Sequence, residues 1–375
     1  MATSRFCDFS RFPRLARLAQ VGAAALLLAA ACGARAELVM SDPIPLNPQV
    51  KAGTLPNGLT YYIQKNARPA RMLELRLVVK AGSLDEDDDQ QGLAHLVEHM
   101  GFNGSTHFKR SELVSFLEST GVKMGADLNA NTSFERTIYI LSIPTDQPDN
   151  VEKGLTVLED WAGGMTLADA DIERERAIVL EEMRVRRRSD EASNTILRGK
   201  IYRGSNLPAR LPIGDEALLK RFAPEAARRF YRDWYRPELM AVVAVGDIEP
   251  AQLEKAVAAH FGHLANPPNP RAPVTTRLPR RGADDSLVSL NNKNAAHFLQ
   301  LHYAPFEPKL DSVLGDLRER WLERLFARLM NERLRELQQQ PNAPSTRGSI
   351  GLRSLEPRFK EYVADVGVGP AGPLA

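Results

Sequence analysis

Alternating and helical spacing of apolar residues divides the chain into short elements from about residue 50 onward. Residues 55–63, LPNGLTYYI, read as strand, turn and strand around Asn57-Gly58. Residues 73–81, LELRLVVKA, alternate apolar and polar positions, as in a strand with one buried face. Residues 137–143 alternate in the same way and stop at Pro144, and 239–245 form an apolar strand closed by Gly246-Asp247. Helical spacing covers 92–100, 110–120, 151–163, 169–188 and 250–261, with Leu113, Phe116 and Leu117 on one face of the second. The acidic run 85–89 reads as a solvated loop. Five prolines between 266 and 280 mark an extended linker. Beyond it, 297–303 reads as a strand. Residues 311–340 read as a long amphipathic helix with Leu314, Leu317, Trp321, Leu325, Leu329 and Leu334 at apolar positions. The last ten residues, VGVGPAGPLA, carry no clear element. This mixture of strands and helices predicts an α+β architecture.

Composition narrows the class. At 375 residues, 43% hydrophobic and 26% charged, the chain has the size of two domains and the make-up of a soluble globular protein. The formal charge of +2 comes from residues 1–36, which hold five Arg and one Asp; the remainder has 44 basic and 46 acidic residues. Nothing in that balance points to nucleic acid. Residues 1–36 read as a secretory signal. Arg5, Arg11, Arg14 and Arg17 precede an apolar stretch at 21–31, too short to span a bilayer, and Ala34-Arg35-Ala36 offers a cleavage site. An exported, periplasmic protein is expected, with a membrane anchor or a lipoprotein attached through Cys32 as alternatives. Both cysteines, Cys7 and Cys32, lie in this segment. A mature chain would have no disulfide, and any metal site would draw on His and carboxylates.

The candidate chemistry is HLVEH at 95–99. On a helix, His95 and His99 lie one turn apart on one face, with Glu98 on the same side. Two imidazoles beside a carboxylate suit zinc and the water it activates, and the order H-x-x-E-H is the inverse of H-E-x-x-H. Two histidines need a further protein ligand. The segment 171–188, DIERERAIVLEEMRVRRR, supplies Glu175 and Glu182, two turns apart on one face; either is able to bind while the other supports. Glu181 points away, toward solvent or a nearby Arg. His107 reads as solvated. His260 and His263 read as surface residues without an acidic partner.

HLVEH followed by ERAIVLEE resembles the pitrilysin/insulysin family of zinc peptidases, which includes the mitochondrial processing peptidases. The resemblance implies His95, His99 and Glu182 as ligands of one Zn2+ per chain, Glu98 as general base and Glu175 as a supporting carboxylate. The family's usual separation of second His and ligand Glu points instead to Glu175; the helix pattern sets the assignment to Glu182. GVKMGADLNANTSFERTIYIL (121–141) resembles the family's edge strand, implicating Asn129 and Ala130 in pairing with substrate backbone. LPNGLTYYI and residues 212–248 also match family segments. The implied fold is a mixed, mostly antiparallel sheet packed by helices, followed by an incomplete second domain of similar type. Composition and resemblance together lead to an expected layout of a signal peptide at 1–36, a catalytic domain at 44–265, a Pro-rich linker at 266–285 and a partial second domain at 286–375. The implied activity is zinc-dependent hydrolysis of peptides or unfolded polypeptides, with a second family half or subunit as a partner that completes a chamber. The alternatives are a non-catalytic or truncated subunit that needs a partner chain, and a metal-free binding protein.

Overall fold

A computed structural model describes residues 39–122, 125, 127–187, 191–276, 298–303, 310–341, 343, 347–356 and 359–367. The expected signal and the end of the linker lie outside the described residues. No helix among them is long and apolar enough to cross a membrane.

The chain divides into two compact units. The smaller combines Met1–Ile44 with Asp311–Leu322. Within it Pro43 bridges Val313, and the Asp316 carboxylate accepts from the backbone N–H groups of Ser312 and Val313. The larger unit, Pro45–Leu310 with Glu323–Ala375, holds both sheets.

The first sheet has six strands: β1 (Val50–Thr54), β2 (Thr60–Lys65), β3 (Met72–Val79), β4 (Leu128–Thr132), β5 (Thr137–Pro144) and β6 (Met240–Gly246). Their order is β1-β2-β6-β3-β5-β4, antiparallel at every step except β2 with β6. The alternation in β3 reads directly as burial: Leu73, Leu75, Leu77 and Val79 face the core. The first hairpin turns at Asn57-Gly58 as expected, but its first strand lies at 50–54, ahead of LPNG. Gly58 has φ +91°, which a side chain would resist.

Nine helices of the described residues follow the chain: α1 (Leu93–Met100), α2 (Arg110–Ser119), α3 (Pro148–Glu159), α4 (Asp169–Arg187), α5 (Glu191–Ile201), α6 (Glu216–Leu219), α7 (Pro224–Trp234), α8 (Pro250–Phe261) and α9 (Leu314–Gln338). Helix α1 is buried nearly all round, and packs on α4, α7, β4 and β5. The second sheet, β7 (Phe298–Tyr303), β8 (Arg347–Glu356) and β9 (Phe359–Gly367), is antiparallel in the order β7-β9-β8. Two residues of the segment expected to lack structure, Val366 and Gly367, close β9.

The acidic run is not simply solvated. Asp88 and Asp89 are exposed, but Asp85 and Glu86 are buried. Glu86 Oε1 accepts from the N–H groups of Gly92 and Ala94, at 3.0 and 2.8 Å, and so caps α1 from outside the helix. Asp85 accepts from Gly82 and from Val274, which ties the first part of the expected linker to this module.

Burial raises the Asp85 carboxyl to about 6, against the pull of those two N–H groups. A folded pKa above the unfolded one stabilises below the unfolded value and is lost as pH rises through about 6. Asp85→Asn removes that titration. The stability advantage of wild type over the variant should shrink by about 2–3 kcal/mol between about pH 4 and pH 7, read by urea unfolding.

Candidate metal centre

Helix α1 presents its polar groups from within the core. Gly92 precedes it at φ +98°, where a Cβ would meet the Cα of Gly214 at 2.9 Å, so the chain enters the helix close against a neighbouring loop. His95 and Glu98 are buried and His99 half-buried. At the other end, Trp161 Nε1 donates to the carbonyl of Gly101 at 2.8 Å.

Helix α4 lies across α1. Ile172, Val179 and Met183 fix its buried stripe, and Glu175 and Glu182 share that stripe. Arg176 pins the rotation: its guanidinium sits 3.7 Å from the Phe222 ring centroid and donates to the carbonyls of Leu219 and Phe222. Glu181 points out to Arg184, as expected.

Three donor atoms converge. His95 Nε2 and His99 Nε2 are 3.3 Å apart, and Glu182 Oε2 lies 3.7 and 3.6 Å from them. Tetrahedral coordination with bonds of about 2.0–2.1 Å places donors about 3.3–3.4 Å from one another. The three edges fall within a few tenths of an ångström of that, so this trio is able to hold a metal ion. Glu182 Oε1 is taken up by Arg186 at 2.6 Å. Glu175 stands on the far side of His99: its Oε2 is 3.2 Å from Nδ1, and its Oε1 accepts from Asn103 Nδ2 at 3.0 Å. Asn103 also donates to the His99 carbonyl at 3.1 Å. An Nδ1–H···Oε2 bond leaves His99 Nε2 free to ligate. His95 Nδ1 is buried without a hydrogen-bond partner, so the polar contacts of that ring are made through Nε2, with His99 and Glu182.

The two histidines differ in charge. Burial and the neighbouring His99 cation push His95 down to about 4. Burial acts the same way on His99, but Glu175 and Glu182 outweigh it and lift His99 to about 9. The hydrogen bond with His99 brings Glu182 down to about 2. Burial raises Glu98, opposed by Thr132 Oγ1, which donates to Glu98 Oε2 at 2.7 Å.

Asn129 and Ala130 lie on β4, the outer strand of the six-stranded sheet, paired among the described residues with β5 alone. Sequence reasoning did not single out Asn103 or Thr132. Asn103 follows His99 by one helical turn, just past the HLVEH motif, and Thr132 lies within 121–141, where Asn129 and Ala130 alone carried a role. One expectation needs correction, and another gains a partner. His260 is buried and bonded to two acids of α3, Glu159 at 2.6 Å and Glu152 at 3.1 Å; His263 lies 3.5 Å from Glu159. Both acids are about a hundred residues away in sequence, beyond any local pattern. His107 is exposed, as expected, and its Nδ1 meets the buried Asp160 at 2.7 Å.

A mostly antiparallel α+β domain whose H-x-x-E-H helix meets a distal glutamate helix defines the class of inverted-motif metallopeptidases. Residues 61–211 match the family description Insulinase (Peptidase family M16), and residues 221–336 match Peptidase M16 inactive domain. The chain belongs to peptidase family M16. It is 31% identical over 343 residues to "Probable zinc protease PqqL" of Haemophilus influenzae, covering 88% of this chain and 36% of that protein. It is 30% identical over 309 residues to "Zinc protease PQQL-like" of Arabidopsis thaliana, covering 82% and 32%. The crystal structure of the periplasmic protease PqqL from Escherichia coli superposes with a TM-score of 0.77 at 25% identity, over 87% of this chain and 36% of that one. The chain thus spans about a third of the length of these relatives.

If this trio takes up a metal ion, His99 Nε2 has to be neutral to bind it. Because His99 titrates near 9, zinc added at about pH 7 should displace about one proton per site. Calorimetry in buffers of different ionisation enthalpy reads that number; release near zero would contradict the His99 assignment.

Proposed function

We propose that this chain carries the catalytic centre of a zinc-dependent endopeptidase acting on peptides or unfolded polypeptides. His95, His99 and Glu182 hold one zinc ion. Zinc in such a donor set supplies Lewis acidity, polarising a carbonyl and acidifying water. Glu98 acts as general base, accepting a proton from the attacking water and passing it to the leaving amine nitrogen. Burial, which raises Glu98 above the ordinary carboxylate value, favours that shuttling role. Glu175 holds His99 through Nδ1 and keeps its Nε2 turned to the metal. Strand β4, with Asn129 and Ala130, offers the edge away from β5 to an extended substrate by main-chain pairing. The single observation that carries this reading is the Nε2, Nε2, Oε2 triangle, with Glu175 bonded to the opposite face of His99.

The leader expected at 1–36, together with the periplasmic setting of the Escherichia coli relative, supports export to the periplasm. Leu325, Phe326 and Leu329 of α9 are exposed, which supports a further family half or a partner subunit covering that helix. Under that reading, zinc binding belongs to this chain and full turnover to the completed assembly.

Zinc content and cleavage of an unstructured peptide, with and without chelator, test the proposal. Glu98→Gln should keep about one zinc per chain and lose at least about a hundredfold in turnover. Glu182→Ala should lose zinc outright. Glu175→Gln should weaken zinc affinity by about 10–100-fold while leaving the stoichiometry intact. Normal cleavage by Glu98→Gln would remove the general-base assignment.

A further inference from the structure

The hydroxyl of Thr132 donates to Glu98 Oε2 at 2.7 Å, from a strand far from α1 in sequence. Along β4 the side chains alternate: Asn129 and Asn131 face out, while Leu128, Ala130 and Thr132 share the inner face toward α1. A carboxylate rotates loosely about its last torsion, with a broad, two-fold preference. A donor fixed on one oxygen removes that freedom. Thr is well suited to the task, because its branched Cβ restricts χ1 and so aims the hydroxyl from the backbone.

That backbone is held from several sides. Thr132 pairs with Thr137 on β5, and Thr137 Oγ1 donates to the Ala81 carbonyl at 3.1 Å. In the turn that follows, Ser83 and Leu84 donate to the carbonyls of Ser133 and Phe134, at 3.1 and 2.9 Å. The Phe134 N–H donates to Glu356 Oε1 at 2.8 Å, and Glu356 is itself buried at the end of β8. Among the described residues, Glu98 Oε1 makes no hydrogen bond, so one oxygen is held and the other is left over.

We propose that Thr132 is a positioning residue: its hydroxyl holds Oε2 of Glu98 and turns Oε1 toward the reacting groups. The strand that pairs with substrate thereby also sets the orientation of the base. The proposal rests on the peptidase reading above, and it assigns the inner face of β4 a role separate from substrate pairing at its edge. Thr132→Val keeps the shape and the strand preference but removes the donor, whereas Thr132→Ser keeps the donor.

Steady-state cleavage of an unstructured peptide by the zinc-loaded full chain gives one readout. Thr132→Val should lower kcat by about 10–100-fold with KM within about twofold, and Thr132→Ser should restore most of the loss. Zinc content should stay at the wild-type level in both. A rise in KM without a fall in kcat, or failure of Ser to restore activity, would overturn the proposal in favour of a purely structural strand residue. Crystal structures of the variants give a second readout that needs no turnover. Glu98 should swing or become disordered in Thr132→Val and stay in place in Thr132→Ser; an unmoved carboxylate in Thr132→Val would overturn the proposal. Wild type indistinguishable from Glu98→Gln in cleavage would instead strike the peptidase reading, and the carboxylate's orientation would still decide the role of Thr132.

Discussion

The rest of the structure depends on burying a helix that carries two imidazoles and a carboxylate. An unpartnered polar group in the core costs about 1–3 kcal/mol, a large share of a domain's margin of stability. Helix α1 therefore recruits partners from every side. Glu86 caps its N-terminus, Asn103 bonds its C-terminal turn, Glu175 and Glu182 face the histidines from α4, and Thr132 reaches Glu98 from β4. The surrounding fold is arranged so that these groups arrive at one place.

Helical register explains why two glutamates seven residues apart take different positions. They lie on one stripe of α4, but α1 crosses that stripe, so one carboxylate meets the Nε2 pair and the other meets Nδ1 of His99 and the Asn103 amide. Arg176, stacked on Phe222 and bonded to two carbonyls, prevents α4 from rolling. The same geometry separates the histidines electrostatically. His99 gains two carboxylates and stays protonated without a metal, while His95, buried beside that cation, is held neutral. A cation at the centre of the triangle would take the place of the His99 proton.

Local pattern was a good guide where one period repeats and one face is buried. Strand β3, helix α8 and the boundaries of α4 follow from the spacing of their apolar residues within a residue or two. The same reading was poor for β8 and β9. Their sequences carry Gly, Ser and charged residues, and their strand character comes from pairing with each other. It also placed Asp85, Glu86 and His260 outside the core, because each is stabilised there by a group remote in sequence or by backbone N–H groups that no composition shows. His260 is the plainest case: an H-x-x-H pair at a helix end looks like surface until two acids of α3 come to meet it.

By itself, the sequence determined which side chains share a helical face: His95 with His99, and Glu175 with Glu182. Covalent connectivity and the 3.6-residue turn fix those relations whatever the surroundings. It also carried the likeness to peptidase family M16 through residues that stand at set intervals. Only the tertiary structure decided which glutamate meets both Nε2 atoms, that a threonine from an edge strand takes one oxygen of Glu98, and that an acidic run dips into the core. Those outcomes depend on crossing angles and strand order, which join residues tens to hundreds of positions apart. Contacts of that kind arise when apolar faces pack, and no local spacing records them.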